Sequence, residues 1–544
     1  MSKRAPIRKK KSPVAPPVLS WPDKRSPEPL TPPTVELIEI FDPNNEYLDV
    51  PNAQPLAPSP LPPALCRNHL FYGDNLATLT YLLANGYRGQ VKLIYIDPPY
   101  ASGVKWQRKV RLRGPKAPTM QTSADHVFAA QEQYNDQWSD NEYLQFMYER
   151  LPLLRDLLAD DGALWLHCDH RKVHPLHILL EEVFGPDNYL NTITWRSQVA
   201  RGAKVNAFYF PFSAHYIEIF AKNRRTPPVW NPPKKQLVLT EAEAAREFLH
   251  DEQGFFRTSD PGTYSFARLK AFHAEQRLYA PFGGTIVVDE ATQRVYASNG
   301  GNIGVKYYLT KLANGKWAVE RSIDNLWDDI PGLGTTPGED LGYPTQKTVA
   351  LLDRIVRTST NPGDLVLDCF MGSGTTLAVA QQLGRRWIGC DNNAGAVRTT
   401  RRRLQALQTS GFALYQLGAD SLASKPLKVN SAYATLEITR NAEDATKIII
   451  KIIEYVSPLI MAQLTQTAAQ NTFALADWRA LVDCVAIDPT YGGQVFRSVL
   501  VDAPLRKREQ VKGVYTVVGP SQVTCVAVRI TDLLGEELLV IQAI

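Results

Sequence analysis

Ten residues constrain this chain more than any others: Val91-Lys92-Leu93-Ile94-Tyr95-Ile96-Asp97-Pro98-Pro99-Tyr100. The first six form a short apolar run rich in β-branched residues, which reads as a buried strand in a sheet covered on both faces. The strand must stop at Asp97, because the two prolines after it cannot donate to a sheet ladder or continue as helix. A carboxylate at the carboxyl end of a buried strand stands where open α/β sheets bind their ligands.

The turn is rich in acceptors and poor in donors. Pro98 and Pro99 offer carbonyls without N–H groups, and an ionised Asp97 only accepts. That suits an exocyclic amino group on a flat base: Asp97 and the Pro98 carbonyl take its two protons while Tyr100 stacks on the ring. Such an amine is a poor nucleophile, because its lone pair is delocalised into the base. Acceptors that hold both N–H bonds as the nitrogen becomes pyramidal make the lone pair available. A strand ending in a Pro-Pro turn with a structural aspartate fits the same four residues equally well.

At 544 residues the chain has room for about three or four domains of ~150 residues. A net charge of +5 means that any nucleic-acid surface must come from local clustering. The six cysteines, Cys66, Cys168, Cys369, Cys390, Cys484 and Cys525, lack C-x-x-C spacing. This points to a reducing compartment and away from zinc ribbons and disulfide frameworks. No apolar run approaches the ~18–20 residues of a membrane span, and the amino terminus lacks a signal-peptide core, so no membrane partner and a cytoplasmic location are expected.

Residues 1–66 are dominated by proline behind a basic opening, Lys3-Arg4 and Arg8-Lys9-Lys10-Lys11. They read as a disordered tail, either solubilising or an electrostatic arm on phosphates. Order is expected from residue 67. His69–Tyr72 is strand-like and leads through Gly73-Asp74-Asn75 into Leu76, Leu79, Leu82 and Leu83 at helical spacing. A second helix runs from Tyr143 to Leu158, and Ala163–His167 is another buried strand. This alternation predicts a parallel sheet with helices on both faces. His167, Cys168, Asp169, His170, His174 and His177 are residues of metal-ligating type, but their spacing is loose and Pro175 intervenes, so no metal site is expected.

The stretch from about Arg224 to Asn325 changes character. Glycines and short β-like pieces mix with basic and aromatic residues, as in Phe255-Phe256-Arg257, Phe266-Ala267-Arg268 and Lys306-Tyr307-Tyr308. Such mixtures serve stacking and phosphate contacts, and a solvated β insertion looks the same. Beyond about residue 425, Lys447–Ile453, Gln522–Val528 and Leu538–Ile541 are too β-branched for comfortable helix and suggest a small all-β domain, in the manner of an immunoglobulin-like sandwich.

Asn361 to Thr376 is the second informative stretch. Leu365-Val366-Leu367-Asp368 runs into Cys369-Phe370-Met371-Gly372-Ser373-Gly374, and helix follows from Thr375. The glycines let backbone approach a ligand, and the helix N-terminus favours an anion. It matches neither a Walker A loop nor Gly-x-Gly-x-x-Gly, since position 377 is Leu. The next strand closes on Asp391, at the separation from the glycines where a carboxylate takes ribose hydroxyls. A nucleoside cofactor is expected.

Taken in order, Gly73-Asp74-Asn75, Asp97-Pro98-Pro99-Tyr100, Tyr343-Pro344-Thr345-Gln346-Lys347, Asp368 to Thr376 and Asp391 resemble the motifs of the β-class amino DNA methyltransferases. The adenine-specific enzymes are nearest, including modification subunits of type III restriction systems. The resemblance covers roughly 68–225 and 322–405. It implies S-adenosylmethionine as cofactor, N6 of a flipped-out adenine in double-stranded DNA as acceptor, and a restriction subunit or a second copy of the chain as possible partners. Asp97, Pro98, Pro99 and Tyr100 would form the catalytic turn. Asp368, Phe370, Gly372 and Gly374 would line the cofactor and Asp391 would bind its ribose. Lys347 and Thr375 would lie near its carboxylate, and Asp74 near its adenine.

The fold class implied is α/β, a doubly wound Rossmann-like methyltransferase sheet, circularly permuted. Its catalytic half is placed at 67–225, a β-rich target-recognition insertion at 226–325, the cofactor half at 326–420 and the β-rich carboxyl-terminal domain at 425–544. The chain departs from the family at Ala101-Ser102, where Asn-Thr is frequent, and at Thr348 and Cys369, where proline is usual. N4-cytosine methylation, RNA methylation and a catalytically silent DNA-binding subunit are the alternatives. A protein-glutamine methyltransferase would carry Asn at position 97.

Overall fold

The structure, a computed structural model, describes residues 17–28, 30–44, 67–114, 127–199, 208–418, 432–444, 446–467, 477–493, 495–519 and 525–544. The chain divides into two compact units. One comprises the residues up to Asn231 together with those from Asn325 onward, and the other spans Pro232–Asp324.

Among the described residues, eleven strands of the larger unit form one sheet. In chain order they are β1 (Val35–Phe41), β2 (His69–Tyr72), β3 (Val91–Ile96), β4 (Leu158–Cys168), β5 (Tyr189–Arg196), β6 (Ala214–Ala221), β7 (Leu326–Trp327), β8 (Leu365–Asp368), β9 (Arg386–Asp391), β10 (Phe412–Leu417) and β11 (Phe496–Ser498). Their order across the sheet is β7-β5-β6-β4-β3-β8-β9-β2-β10-β1-β11. The run β4-β3-β8-β9-β2-β10 is parallel throughout. β6 runs antiparallel to both β4 and β5, and β1 antiparallel to β10.

Among the described residues, six helices accompany the sheet: α1 (Asn75–Ala84), α2 (Asp140–Leu157), α3 (Val173–Phe184), α4 (Val349–Ser359), α5 (Thr375–Gln382) and α6 (Ala394–Leu407). α1, α2 and α3 pack side by side, as do α4, α5 and α6. Ile94, Ile96, Leu164, Leu166, Leu367 and Ile388 meet the first group in one core. Their strand neighbours Leu93, Tyr95, Trp165, Val366 and Trp387 point the other way and are buried too. Covering both faces explains why these strands read as continuous apolar runs rather than as alternation. The helix expected to reach Leu158 ends at Leu157, and the following strand begins at once.

Two expectations need correction. Residues 1–66 are not disordered throughout: β1 lies inside the sheet, Trp21 is buried with its ring against Tyr148, and Lys24 bonds Glu182 at 2.6 Å. The proline content of the whole stretch masked one apolar heptapeptide, VELIEIF, long enough to fill a place in the sheet. The basic residues Lys3, Arg4 and Arg8 to Lys11 lie outside the described residues.

Nor is the carboxyl-terminal segment all-β and separate. It contains a three-stranded sheet (Tyr433–Arg440, Lys447–Val456, Val514–Val518) and a four-stranded one. It also contains a helix, Pro458–Thr467, with Pro458 at its first position and the Ser457 hydroxyl accepting from the Ile460 N–H. β11 joins the main sheet beside β1, and the hairpin Lys105–Arg111/Val127–Asn135 shares the core of this segment through Val110 and Phe128.

The unit Pro232–Asp324 is β-rich, with helices Glu241–Glu247 and Phe266–Ala274 among short strands. Its basic and aromatic residues are largely occupied with one another. Phe255 and Phe256 are buried, Arg268 lies 4.3 Å from the Phe272 ring, and Lys306 bonds Asp251 at 2.6 Å. Among the described residues no helix is long and apolar enough to cross a membrane.

Candidate active site

Parallel pairing sets the carboxyl ends of β3, β8, β9 and β2 side by side, about 4.8 Å apart per strand. Each runs out near an aspartate. Asp97 follows β3, Asp368 and Asp391 close β8 and β9, and Asp74 stands two residues beyond β2. A cleft opens over the first three. Asp97, Pro98, Pro99 and Tyr100 face it from the turn after β3, and Phe370, Gly372 and Thr375 from the turn and helix after β8. Asp368, Asp391 and Lys347 complete the set, so two stretches more than 250 residues apart share one cavity.

The residues of the turn after β3 are held by hydrogen bonds. Tyr100 donates its hydroxyl to Asp97 Oδ1, and Lys347 donates to Asp97 Oδ2. Each carboxylate oxygen keeps a lone pair for a further donor. Among the described residues nothing donates to the Pro98 carbonyl. Burial, reinforced by the adjacent Asp97, keeps the Tyr100 phenol protonated far above neutrality. Lys347 therefore stands at the Asp97 end of the cleft, while its own carbonyl accepts from Thr375 Oγ1 at 3.2 Å.

The other wall is built from backbone. Gly372 adopts φ +50°, where its N–H reaches Asp391 Oδ2 at 3.0 Å, and the Asn393 N–H holds Oδ1 at 2.9 Å. Burial lifts Asp391 to about 6 against those two N–H groups. Burial likewise lifts Asp368 to about 7, opposed by the Thr376 hydroxyl and the Phe370 N–H and assisted by Asp97 and Asp391. No cation pairs with either carboxylate among the described residues. Arg403, buried behind the glycine turn, donates to Thr375 Oγ1 at 2.8 Å and to the Ser373 carbonyl at 3.3 Å. It bonds no carboxylate among the described residues, so its charge is felt at the N-terminus of α5.

Two expected residues stand back from this cleft. Asp74 caps α1, accepting from the Ala77 N–H at 3.1 Å, and its second oxygen takes Arg150 at 3.2 Å. Gly374 adopts φ +70° and lies against α6, where an added Cβ would come within 2.5 Å of Thr400.

The sequence model of the DNA methylase family, N6 and N4 methyltransferases, matches residues 91–402. This chain belongs to the DNA methylase family. It is similar to the type II methyltransferase M.EcaI of Enterobacter cloacae, with 30% identity over 351 residues covering 62% of this chain and 69% of the relative. The EcoPI Mod subunit, a type III restriction-modification enzyme of Escherichia phage P1, is 25% identical over 379 residues, 60% of this chain and 56% of the relative. The chain thus spans little more than half of that relative's length. The DNA adenine methyltransferase YhdJ of Escherichia coli K12 is 48% identical over 80 residues, 15% of this chain and 27% of the relative.

Several residues of this DNA methylase's cleft carry no motif. Tyr134 enters from the hairpin and meets Thr345 Oγ1 at 3.1 Å. Asp136 accepts from the Ala101 and Ser102 N–H groups, both at 2.9 Å, and so fixes the chain leaving Tyr100. Tyr95 was within reach of sequence reasoning, since period-two alternation puts it on the same face of β3 as Asp97. Its hydroxyl meets His167 Nδ1 at 2.8 Å, and His167 Nε2 meets His215 Nδ1 at 3.0 Å. The histidine-rich segment thus works in hydrogen-bonded and stacked pairs. His177 bonds Glu218 at 2.9 Å, and His170 stacks on Phe212 with centroids 3.5 Å apart. Among the described residues no group of three or more metal-ligating side chains is assembled.

Proposed function

We propose that this protein transfers a methyl group from S-adenosylmethionine to N6 of an adenine extruded from double-stranded DNA. The observation that carries the reading is the single cleft shared by the acceptor-only turn at Asp97–Tyr100 and the glycine turn at Phe370–Thr375. The donor set fits the cofactor. Asp391 is a carboxylate without a cationic partner at the end of β9, suited to hydroxyl donors, and the N-terminus of α5 with Arg403 behind it favours a carboxylate. When bound, S-adenosylmethionine supplies an electrophilic methyl on sulfur. Asp368, Phe370 and Gly372 would line it, and Thr375 would sit at its carboxylate end. Asp74 and Gly374 would act from behind, by setting α1 and the packing of α5.

The protein's part in the chemistry is orientation and acceptor placement. Tyr100 stacks on the extruded base, and Asp97 and the Pro98 carbonyl hold the two amino protons. Lys347 and the Tyr100 hydroxyl keep the Asp97 carboxylate in place. Asp rather than Ser at position 97, and the likeness to an adenine methyltransferase, favour adenine over cytosine. The family order, with the catalytic turn before the glycine turn in the chain although β3 and β8 are neighbours, supports reading the sheet as circularly permuted. The β-rich unit inserted between the two halves is read as the target-recognition domain. A restriction subunit and a second copy of the chain are the protein partners to look for.

The test pairs Asp97→Ala with wild type on unmethylated genomic DNA. The variant is expected to bind S-adenosylmethionine with unchanged affinity and to lose about 10²–10³-fold in methyl transfer, the order typical of removing one hydrogen-bonding partner of charge developing in the transition state. Sequencing that detects modified bases is expected to place the product of wild type at N6 of adenine. An active Asp97→Ala, or methylcytosine as product, overturns the proposal.

A further inference from the structure

Tyr100 borders two clefts besides the one described. Trp106, His170, Phe212 and His215 wall the first, and Trp195, Ser197, His215 and Gly332 the second. Tyr100, Gln198, His215 and Thr345 line both clefts, and of these His215 is the one that bonds His167 in a buried hydrogen-bonded chain. It opens β6, and because β6 runs antiparallel to β4 its first residues arrive at the same edge of the sheet as Asp97. Its ring lies 5.7 Å from that of Tyr100, nearly perpendicular.

The proton positions in that chain can be assigned by requiring every buried donor to be used. Tyr95 is buried, and among the described residues its hydroxyl meets one acceptor, His167 Nδ1. If the imidazole donated there, the hydroxyl hydrogen would be left buried and unpaired, a costly arrangement. The hydroxyl therefore donates, which makes His167 Nδ1 the acceptor and His167 Nε2 the protonated nitrogen. His167 Nε2 then donates to His215 Nδ1, and the proton of His215 must reside on Nε2. Burial, then the Lys347 ammonium, keeps both rings neutral, His215 at about 4 and His167 well below the usual range. Among the described residues nothing accepts from His215 Nε2.

We propose that His215 reads the extruded base: its Nε2–H donates to a ring nitrogen beside the exocyclic amino group, and Tyr95 and His167 set the tautomer that makes it a donor. This rests on the reading of the site as an adenine methyltransferase. The turn at Asp97 and Pro98 offers acceptors only, which serves the amino group. The acceptor nitrogens on either side of it, N1 and N7 of adenine, need a donor that the turn cannot supply, and His215 provides one.

The test uses the full chain and duplex oligonucleotides carrying the mapped target sequence, with adenine, 1-deazaadenine or 7-deazaadenine at the acceptor position. Wild type is expected to lose at least tenfold in kcat/KM on one analogue, which identifies N1 or N7 as the partner. His215→Leu is expected to lose a similar factor on natural adenine and to treat that analogue and adenine alike. His215→Gln, whose amide N–H reaches toward the Nε2 position, should recover part of the loss. The ¹⁵N shifts of labelled histidine in the free protein are expected to show His215 with Nδ1 bare and Nε2 protonated, and Tyr95→Phe to mix the two forms. Equal analogue penalties in wild type and His215→Leu, or a proton on His215 Nδ1, overturn the inference. Failure of wild type to methylate natural adenine overturns the functional reading instead.

Discussion

Two regions of this protein treat their buried carboxylates in opposite ways. At the cleft, Asp368 and Asp391 have only hydroxyl and N–H partners, and burial lifts them to about 7 and about 6. Along α6, the acids meet guanidinium groups. Asp483 takes Arg113 at 2.5 Å and Arg402 beside it, and Glu39 takes Arg529 at 2.7 Å and Arg401 at 3.2 Å. Burial alone would raise Asp483 and Glu537, but the arginines overcome it. Arg402, Arg113 and Arg108 hold Asp483 far below the carboxylate range, and Arg401 and Arg529 hold Glu537 at about 2. Burial by itself therefore does not mark a functional acid. Asp532 and Asp488 are raised by burial too, with hydroxyl and N–H partners, so what sets the cleft apart is that its two desolvated, unneutralised acids lie on adjacent strands and line one cavity, the condition of a site shaped around a ligand's donors.

The largest stability effect is expected in the α6 seam. Asp483→Asn leaves Arg113 and Arg402 buried without their shared carboxylate and should cost about 3–5 kcal/mol at pH 7, read as a fall in the unfolding midpoint. Because the folded-state pKa is depressed, the contribution of Asp483 is present above about pH 4 and is lost as pH falls further. The deficit of the variant should therefore shrink in acid. A neutral Asp483→Asn would show that the carboxylate adds nothing to the seam.

Asp368→Asn should do the reverse. A carboxyl carried from 3.8 to about 7 has a folded-state pKa above its unfolded one, so its stabilising contribution is full below about pH 4 and is lost as pH rises through 7. The shift is worth at most about 4 kcal/mol, and the asparagine amide must still find an acceptor. A gain of about 2 kcal/mol at pH 8, vanishing toward pH 4, is expected from thermal unfolding. Opposite pH slopes for the two variants confirm the contrast between the regions, and parallel slopes break it.

Asp391→Asn separates stability from binding. The amide oxygen can still accept from Gly372 or Asn393, and the carboxylate removed is one that burial lifts to about 6, so the unfolding midpoint should hold or rise above pH 6 and should not fall. S-adenosylmethionine affinity by calorimetry should fall about tenfold, or ~1.4 kcal/mol, the worth of a charge-assisted hydrogen bond from a ligand hydroxyl. Unchanged affinity would remove Asp391 from the cofactor site.

The two regions also differ in how far the sequence discloses them. The cleft is legible because its decisive features are local. A strand is stopped by two prolines after Asp97, and another is stopped by a glycine turn after Asp368. The seam is not. Arg401, Arg402 and Arg403 carry no signal of burial in the sequence, yet all three are buried, and β1 and strands more than 80 residues downstream bring Glu39, Asp483 and Glu537 to the first two. His215 was hidden for the same kind of reason, since only the antiparallel register of β6 against β4 carries it to the ligand edge. Asp136 fixes the chain after Tyr100 from the far end of a hairpin whose residues carry no motif. Lys347 lines the cleft as its motif led one to expect, but its ammonium sits with Asp97.

The smallest effect concerns strain, and here too the two regions can be set against each other. Ala101, directly after Tyr100, adopts φ +52°, and Gln408, the C-cap of α6, adopts the same angle. Left-handed backbone costs a non-glycine residue about 1 kcal/mol, and asparagine tolerates it better than alanine or glutamine. Ala101→Asn and Gln408→Asn should each raise stability by about 0.5 kcal/mol, seen as a small rise in the unfolding midpoint. Only the first should alter turnover. The Ala101 and Ser102 N–H groups are tied to Asp136, so relaxing position 101 changes how firmly the Tyr100 ring and the Pro98 carbonyl are held. A several-fold change in kcat for Ala101→Asn with none for Gln408→Asn assigns the strain at 101 to the catalytic turn. Equal, unchanged turnover in both leaves it an ordinary loop conformation.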